Sequence, residues 1–211
     1  MKEGFLQTAV PPRWSEMTPE RAESDMAKAL SEAQENLDKI KALRGKKNSG
    51  YMDTVRAFDR ATDSLDRAWT YLNHLQSVAD SPALRDVLNR LMPTVTDFYS
   101  SIDLDDELYA VIKDFVQSGE GKSLKSDKAR LASETLLDFE LSGANLPKDK
   151  KSRLREIDSQ LAVKTQKFSE NVLDGTKMFT LNITNEADLE GLPATAGALG
   201  AKKGAGKGEK G

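Results

Sequence analysis

Apolar residues recur at intervals of three and four along most of this chain, and most of the runs open on a capping residue. Thr18-Pro19-Glu20 places a hydroxyl before a proline and an acid, which marks a helix start. Met26, Leu30, Ala33, Leu37 and Ile40 follow at helical spacing as far as Leu43. Residues 45–50 are polar and glycine-bounded and predict a loop. Val55, Phe58, Thr62, Leu65, Trp69 and Leu72 then step by three and four, which predicts a second helix over about 51–79.

Ser81-Pro82 restarts the pattern, with Leu84, Val87, Leu88, Leu91, Val95 and Phe98 on one face and a bend expected at Pro93. The acids of 103–107 open a short fourth helix carrying Leu108, Ile112 and Phe115, and 118–123 reads as a loop. Ser126 is the expected cap of a fifth helix that stops at Gly143, where glycine suits a left-handed turn. Pro147 starts a sixth, striped by Leu154, Ile157, Leu161, Phe168 and Val172 and ending near Gly175. The period then changes to two: Phe179, Leu181 and Ile183 alternate, which predicts one strand over 178–183, followed by a turn of helix over 186–189.

These elements predict an all-α fold, a bundle of about six helices with one short C-terminal strand. Residues 1–17, with Pro11 and Pro12, read as an extended N-terminal arm, and 18–196 as the helical domain. From Gly197 the composition collapses to Gly, Ala, Lys and Glu, which predicts a disordered tail over 197–211.

Charge and composition exclude several functions. The 211 residues carry 31 basic and 34 acidic side chains, interspersed, for a net charge of −3, which leaves no nucleic-acid footprint. No apolar run approaches the ~18–20 residues of a membrane span, and the N-terminus has no secretory signal pattern, so a cytoplasmic, soluble protein is expected. There is no cysteine, hence no disulfide, thiolate ligand or thiol nucleophile.

The motifs that could carry chemistry each have a plainer reading. Gly119-Glu-Gly121-Lys122-Ser123 resembles the end of a phosphate-binding loop, but Val116 stands where the first glycine is required and no buried strand precedes it. A flexible connector fits better. Asp103, Asp105, Glu107 and Asp114 have partial calcium-loop spacing, yet Leu108 occupies the glycine position, and acids at a helix N-terminus account for the pattern. His74 is the single histidine, so no H-E-x-x-H pair exists, and a hydrogen-bonded structural role is expected for it. Lys148, Lys150, Lys151, Arg153 and Arg155 are diluted by Asp149, Glu156 and Asp158 and read as a solvated helix face. No residue is assigned a catalytic, cofactor-binding or metal-binding role, and no cofactor is expected in this chain.

Several longer spellings do carry a resemblance. Leu137-Asp-Phe-Glu-Leu-Ser-Gly143 with Asn145-Leu-Pro147, Phe168-Ser-Glu-Asn-Val-Leu-Asp174, His74-Leu-Gln-Ser-Val78, Asp80-Ser-Pro-Ala-Leu-Arg85 and Pro12-Arg-Trp-Ser-Glu-Met-Thr-Pro-Glu20 occur in one order. Together with Glu186-Ala-Asp-Leu-Glu-Gly-Leu-Pro193 they resemble the N-terminal region of zinc metallopeptidases of the thimet oligopeptidase and oligopeptidase A family. The sequence departs from that pattern at Gly175 and after Gly197.

The resemblance implies a cytoplasmic enzyme that hydrolyses short peptides with zinc held by an H-E-x-x-H helix and a downstream glutamate, all beyond the end of this chain. It implies that these helices form one wall of a substrate channel and are inactive alone. The expected partners are the C-terminal catalytic part, or a second copy, meeting the apolar stripes of the second and sixth helices and the unpaired strand. The alternative is a free-standing helical interaction module.

Overall fold

In the computed structural model of the chain, residues 4–46, 49–181, 183 and 185–206 are described. The α-helices are α1 (Pro19–Lys41), α2 (Val55–Asp59), α3 (Asp63–Val78), α4 (Pro82–Asp103), α5 (Asp106–Gln117), α6 (Gly119–Ser123), α7 (Ser126–Leu141), α8 (Lys148–Met178) and α9 (Ala194–Gly206). Single 3-10 turns lie at Gly4–Leu6, Trp14–Glu16 and Glu186–Leu189. The fold is all-α, as the periodicity predicts. The chain divides into two compact units, Met1–Lys167 and Phe168–Gly211.

The first unit is built around two cores. Ala22, Met26, Ala29 and Ala33 of α1 meet Leu65, Ala68 and Leu72 of α3 and Leu84, Val87, Leu88 and Val95 of α4. The alanines permit close helix approach, and the branched side chains fill the space between the axes. Farther along α1, Leu37 and Ile40 join Val55, Ile102, Leu108, Ile112 and Phe115, closed by Ala132 and Phe139 of α7.

The N-terminal segment is not a free extended arm. Phe5 is fully buried in the first core. Its amide donates to Asp25 Oδ2 at 2.9 Å. Buried Gln7 donates to the Gly4 carbonyl at 2.8 Å, and its Oε1 accepts the Arg13 amide at 2.7 Å. These bonds satisfy backbone groups that a loop would otherwise leave to water. At Gly4, φ is +52° and an added Cβ would stand 2.2 Å from Asp25 Oδ2, so only glycine fits there.

The predicted second helix is two helices. The backbone breaks between Asp59 and Asp63, and Asn36 Nδ2 captures the freed carbonyl of Ala61 at 3.3 Å. Thr62 Oγ1 donates to Asp66 at the start of α3. The apolar seam continues across the break although its two pieces face different cores, Val55 the second and Leu65 and Leu72 the first, so periodicity could not reveal it. Val55, Leu65 and Leu72 are fully buried, which corrects the expectation that this stripe serves a partner.

Other boundaries follow their caps. Ser81 Oγ accepts the Leu84 amide, and Asp105 Oδ1 accepts the amides of Glu107 and Leu108 at 2.8 and 2.9 Å. The expected cap Ser126 is instead the first residue of α7, with Lys125 at the cap position. Thr18 caps α1 by position only, since its side chain bonds the Glu20 carboxylate, which with the backbone holds that acid below its ordinary value. Gly143 has φ +98° and ends the α7 region as expected.

In the second unit, no strand occurs among the described residues. Helix α8 continues past Gly175 to Met178, while 179–181 and 183 are irregular and Asn182 and Thr184 lie outside the described residues. Alternation over so few residues, with no second strand to pair with, does not make a ladder. The turn at Glu186–Leu189 is present, capped by Asn185, whose Oδ1 accepts the Ala187 amide at 3.2 Å. The tail expected to be disordered from Gly197 is helical as far as Gly206 in α9, and 207–211 lie outside the described residues.

Candidate functional site

The motif residues of the sequence serve the scaffold. Helix α6 replaces the expected loop at 118–123: Ser118 Oγ accepts the Gly121 amide at 3.0 Å, and Glu120 Oε1 accepts the Tyr51 amide at 3.0 Å. An added Cβ at Gly121 would lie 2.2 Å from the Phe115 carbonyl oxygen and 2.7 Å from that of Val116. This glycine lets α6 fold onto the end of α5.

The acids of 103–107 part company. Asp105 caps α5 and pairs with Lys41 Nζ at 2.6 Å. Desolvation pushes its carboxyl up, but the bond from Lys41 and the amides of Leu108 and Glu107 outweigh it and hold the group below its ordinary value. Asp103 closes α4, where the helix dipole disfavours an anion. Desolvation and then the charges of Asp158 and Asp138 push its carboxyl up.

His74 is exposed on α3, with its ring 5.2 Å from that of Trp14, which also meets Tyr71 edge-on at 5.5 Å. The expected hydrogen-bonded histidine is instead held by ring contact. One histidine stacked on tryptophan, with no cysteine, does not fit a zinc centre. Among the described residues no group of three or more His, Cys, Asp or Glu could hold a metal.

The basic cluster at the start of α8 is not all solvated. Lys151 is 8% exposed. Its Nζ donates to the Leu104 carbonyl at 3.0 Å and to Asp106 Oδ1 at 2.6 Å, tying α8 to the turn between α4 and α5. Asp158 accepts a bond from Ser100 Oγ at 3.1 Å. Sequence reasoning missed Lys151 because its neighbours Lys150, Ser152 and Arg153 are exposed. Position 151 is set apart only by its helical spacing from Leu154 and Asp158, which share its inward face.

What the first unit leaves uncovered is apolar. Leu137, Leu141 and Leu146 at the end of α7, and Ile157 and Leu161 on α8, are exposed, Leu141 to 76%. Leu146 lies beside Gly143, whose Cα packs so closely on Leu146 and Leu154 that a Cβ would stand 2.8 Å from Leu146 Cδ1. In the second unit Phe168, Val172, Phe179 and Leu181 are exposed as well. Large aliphatic side chains left in water along a helix depart from the singly scattered apolar residues of an ordinary surface. No helix among the described residues is long and apolar enough to cross a membrane.

Comparison with known proteins gives this surface a context. Residues 26–151 match the model of the neurolysin/thimet oligopeptidase N-terminal domain. The chain is 30% identical over 185 residues to oligopeptidase A of Escherichia coli (strain K12), covering 88% of this chain and 27% of that protein. It is 31% identical over 185 residues to oligopeptidase A of Salmonella typhimurium, with coverage of 88% and 27%. A probable cytosolic oligopeptidase A of Arabidopsis thaliana is 33% identical over 156 residues, covering 74% of this chain and 22% of the relative. The chain therefore spans about a quarter of the length of these relatives, and the family match takes in α1 from Met26, most of the first core, the second core and the first turn of α8. By that match the chain belongs to the neurolysin/thimet oligopeptidase family, in its N-terminal domain.

Proposed function

We propose that these helices form one wall of the substrate channel of a cytoplasmic oligopeptidase that hydrolyses short peptides. The zinc-binding and catalytic residues would be supplied by sequence outside these 211 residues, and this chain would be inactive alone. The observation that carries the proposal is the set of exposed apolar side chains on α7 and on the first half of α8. It adjoins a domain whose relatives extend for several times this length. A face of this kind fits burial against the remainder of an oligopeptidase, where each covered leucine contributes about 1.5–3 kcal/mol. A cytosolic relative and an organellar one are both known by name, and the interspersed surface charge suits either.

The test is complementation. The catalytic part of a related oligopeptidase A, expressed without its N-terminal domain, is mixed with this chain and cleavage of a quenched peptide is followed. Chelator-sensitive cleavage that requires both parts, and that falls when Leu141 and Leu161 are changed to Gln, supports the proposal. Tight association without restored cleavage would instead favour a free-standing interaction module, and no association would remove the proposal.

A further inference from the structure

Between α1 and α2 the first unit holds an open cleft of about 420 Å³, within the size range of small-molecule sites. One wall is a face of α1 and the turn that follows it, and the other is α2 with the turns that flank it. Asn36, Lys39 and Ile40 line it from α1, at spacings of three and one that keep them on one side of the helix, and Leu43 lines it from the turn that follows. Asp53, Ala57, Arg60 and Ala61 line it from the opposite wall, with Met52 at its rim. Asn36 closes one end by its bond to the Ala61 carbonyl, and its Oδ1 accepts from Lys39 Nζ at 3.2 Å.

The floor and rim differ in chemistry. Ile40 and Ala61 are almost wholly buried, and Leu43 and Ala57 pack on the second core, so the floor is aliphatic. Met52 is 66% exposed, and its flexible thioether can fold over an apolar guest. At the rim, among the described residues, Arg60 forms no ion pair and Lys39 is engaged only by the neutral amide of Asn36. The acid in the cleft, Asp53, accepts one long bond from the Gly50 amide at 3.4 Å, which leaves it able to accept an N–H. An aliphatic floor beneath two cations that pair with no acid among the described residues suits a guest with an apolar body and one negative end, with Asp53 left to meet a donor.

We propose that this cleft binds an aliphatic carboxylate, the chemistry shared by the C-terminal residue of a short peptide and by a fatty acid. The carboxylate lies between Arg60 and Lys39, and the aliphatic portion lies on Ile40, Leu43 and Ala57 under Met52. A peptide additionally presents an amide N–H to Asp53. The binding needs no metal and no catalytic part, so it stands or falls separately from the proposed role in an oligopeptidase.

The experiment uses the full chain with its methionine methyls labelled for NMR. It is titrated with acetyl-Ala-Leu-Leu, with the same peptide as its C-terminal amide, and with octanoate, each to millimolar concentration. The expected result is a saturable shift of the Met52 methyl with the free-acid peptide. The amide and the variant R60Q, folded by circular dichroism, each weaken binding by about tenfold, the loss expected for one charge-assisted contact. A peptide that binds more tightly than octanoate, with the difference removed in D53N, identifies a peptide terminus as the source. Octanoate binding equally well, unaffected by D53N, identifies a fatty acid. An unmoved Met52 methyl overturns the proposal, and so does a shift that the amide and R60Q leave unchanged.

Discussion

Lys41, in the last turn of α1, places its Nζ 2.6 Å from Oδ2 of Asp105, the residue whose other oxygen caps α5. One carboxylate thus satisfies the N-terminus of one helix and a cation near the C-terminus of another, where the helix dipole favours it. Changing Asp105 to Ala should lower stability by about 1–2 kcal/mol, and changing it to Asn should cost less because the cap survives. Because the folded carboxyl sits below its ordinary value of 3.8, the stability it contributes is present above that value. It is lost as pH falls through the lower folded value. Urea titrations of the wild type and D105N at several acidic pH values check both the size and the window.

Asp103, two residues earlier, behaves in the opposite sense. Its carboxyl is raised above 3.8, so the folded state holds the proton more tightly and ionisation destabilises it. The destabilisation begins as pH rises through 3.8 and is complete above the raised value. D103N should therefore melt at a higher temperature than the wild type at neutral pH, with the gain vanishing in acid. Equal melting temperatures at neutral pH would contradict it.

Gly121 tests the plain reading of the glycine-lysine-serine motif. The carbonyls that a Cβ would strike belong to the backbone of α5 and cannot swing aside. Gly121→Ala should cost about 1–3 kcal/mol, whereas Gly119→Ala, which meets nothing within 4 Å, should be nearly neutral. Denaturant unfolding of the two variants separates them.

Removing the Lys151 amine leaves the Leu104 carbonyl and Asp106 without their shared donor. Lys151→Met should cost about 1–3 kcal/mol. It should also raise amide hydrogen exchange in the first turns of α8 more than in α1 or α3. Uniform acceleration across all helices would show that the bond does not specifically tether α8.

Helix α9 contains Gly197, Gly200, Gly204 and Gly206, each about 1 kcal/mol less favourable than alanine in a helix. At 13 residues it is near the length at which isolated helices are marginal in water. Its amides should exchange within the fastest class of the chain, and trypsin should cut at Lys202 before any site in α1. Protection of α9 comparable with α3 would refute this.

What could be read in advance was whatever one residue type enforces alone. The proline and serine opening α4, the Asp105 cap and Gly143 fix their ends by local chemistry, and the helical spacing of Met26 to Ile40 marks a buried face wherever that face points. Features that depend on a distant partner were illegible. The break after Asp59 is stabilised by Asn36 on another helix, Phe5 is anchored by Asp25, and buried Lys151 is matched to a carbonyl of a different segment. The alternation of Phe179, Leu181 and Ile183 misled because alternation records a two-sided environment, and a strand exists only when a neighbour supplies the ladder. The cleft between α1 and α2 was also invisible, since it arises from that same break.

Helices α1 and α4 each contribute to both cores: α1 gives Met26 to the first and Ile40 to the second, and α4 gives Leu88 to the first and Ile102 to the second. Two continuous helices running through both apolar clusters couple them mechanically. Loss of either cluster frees half of each helix and withdraws the register that the other half relies on, so the two halves melt as a single foldon and not as independent ones. Proteases that act through sub-global opening would find no intermediate with only one cluster exposed, and α1 would be reached only through opening of both at once.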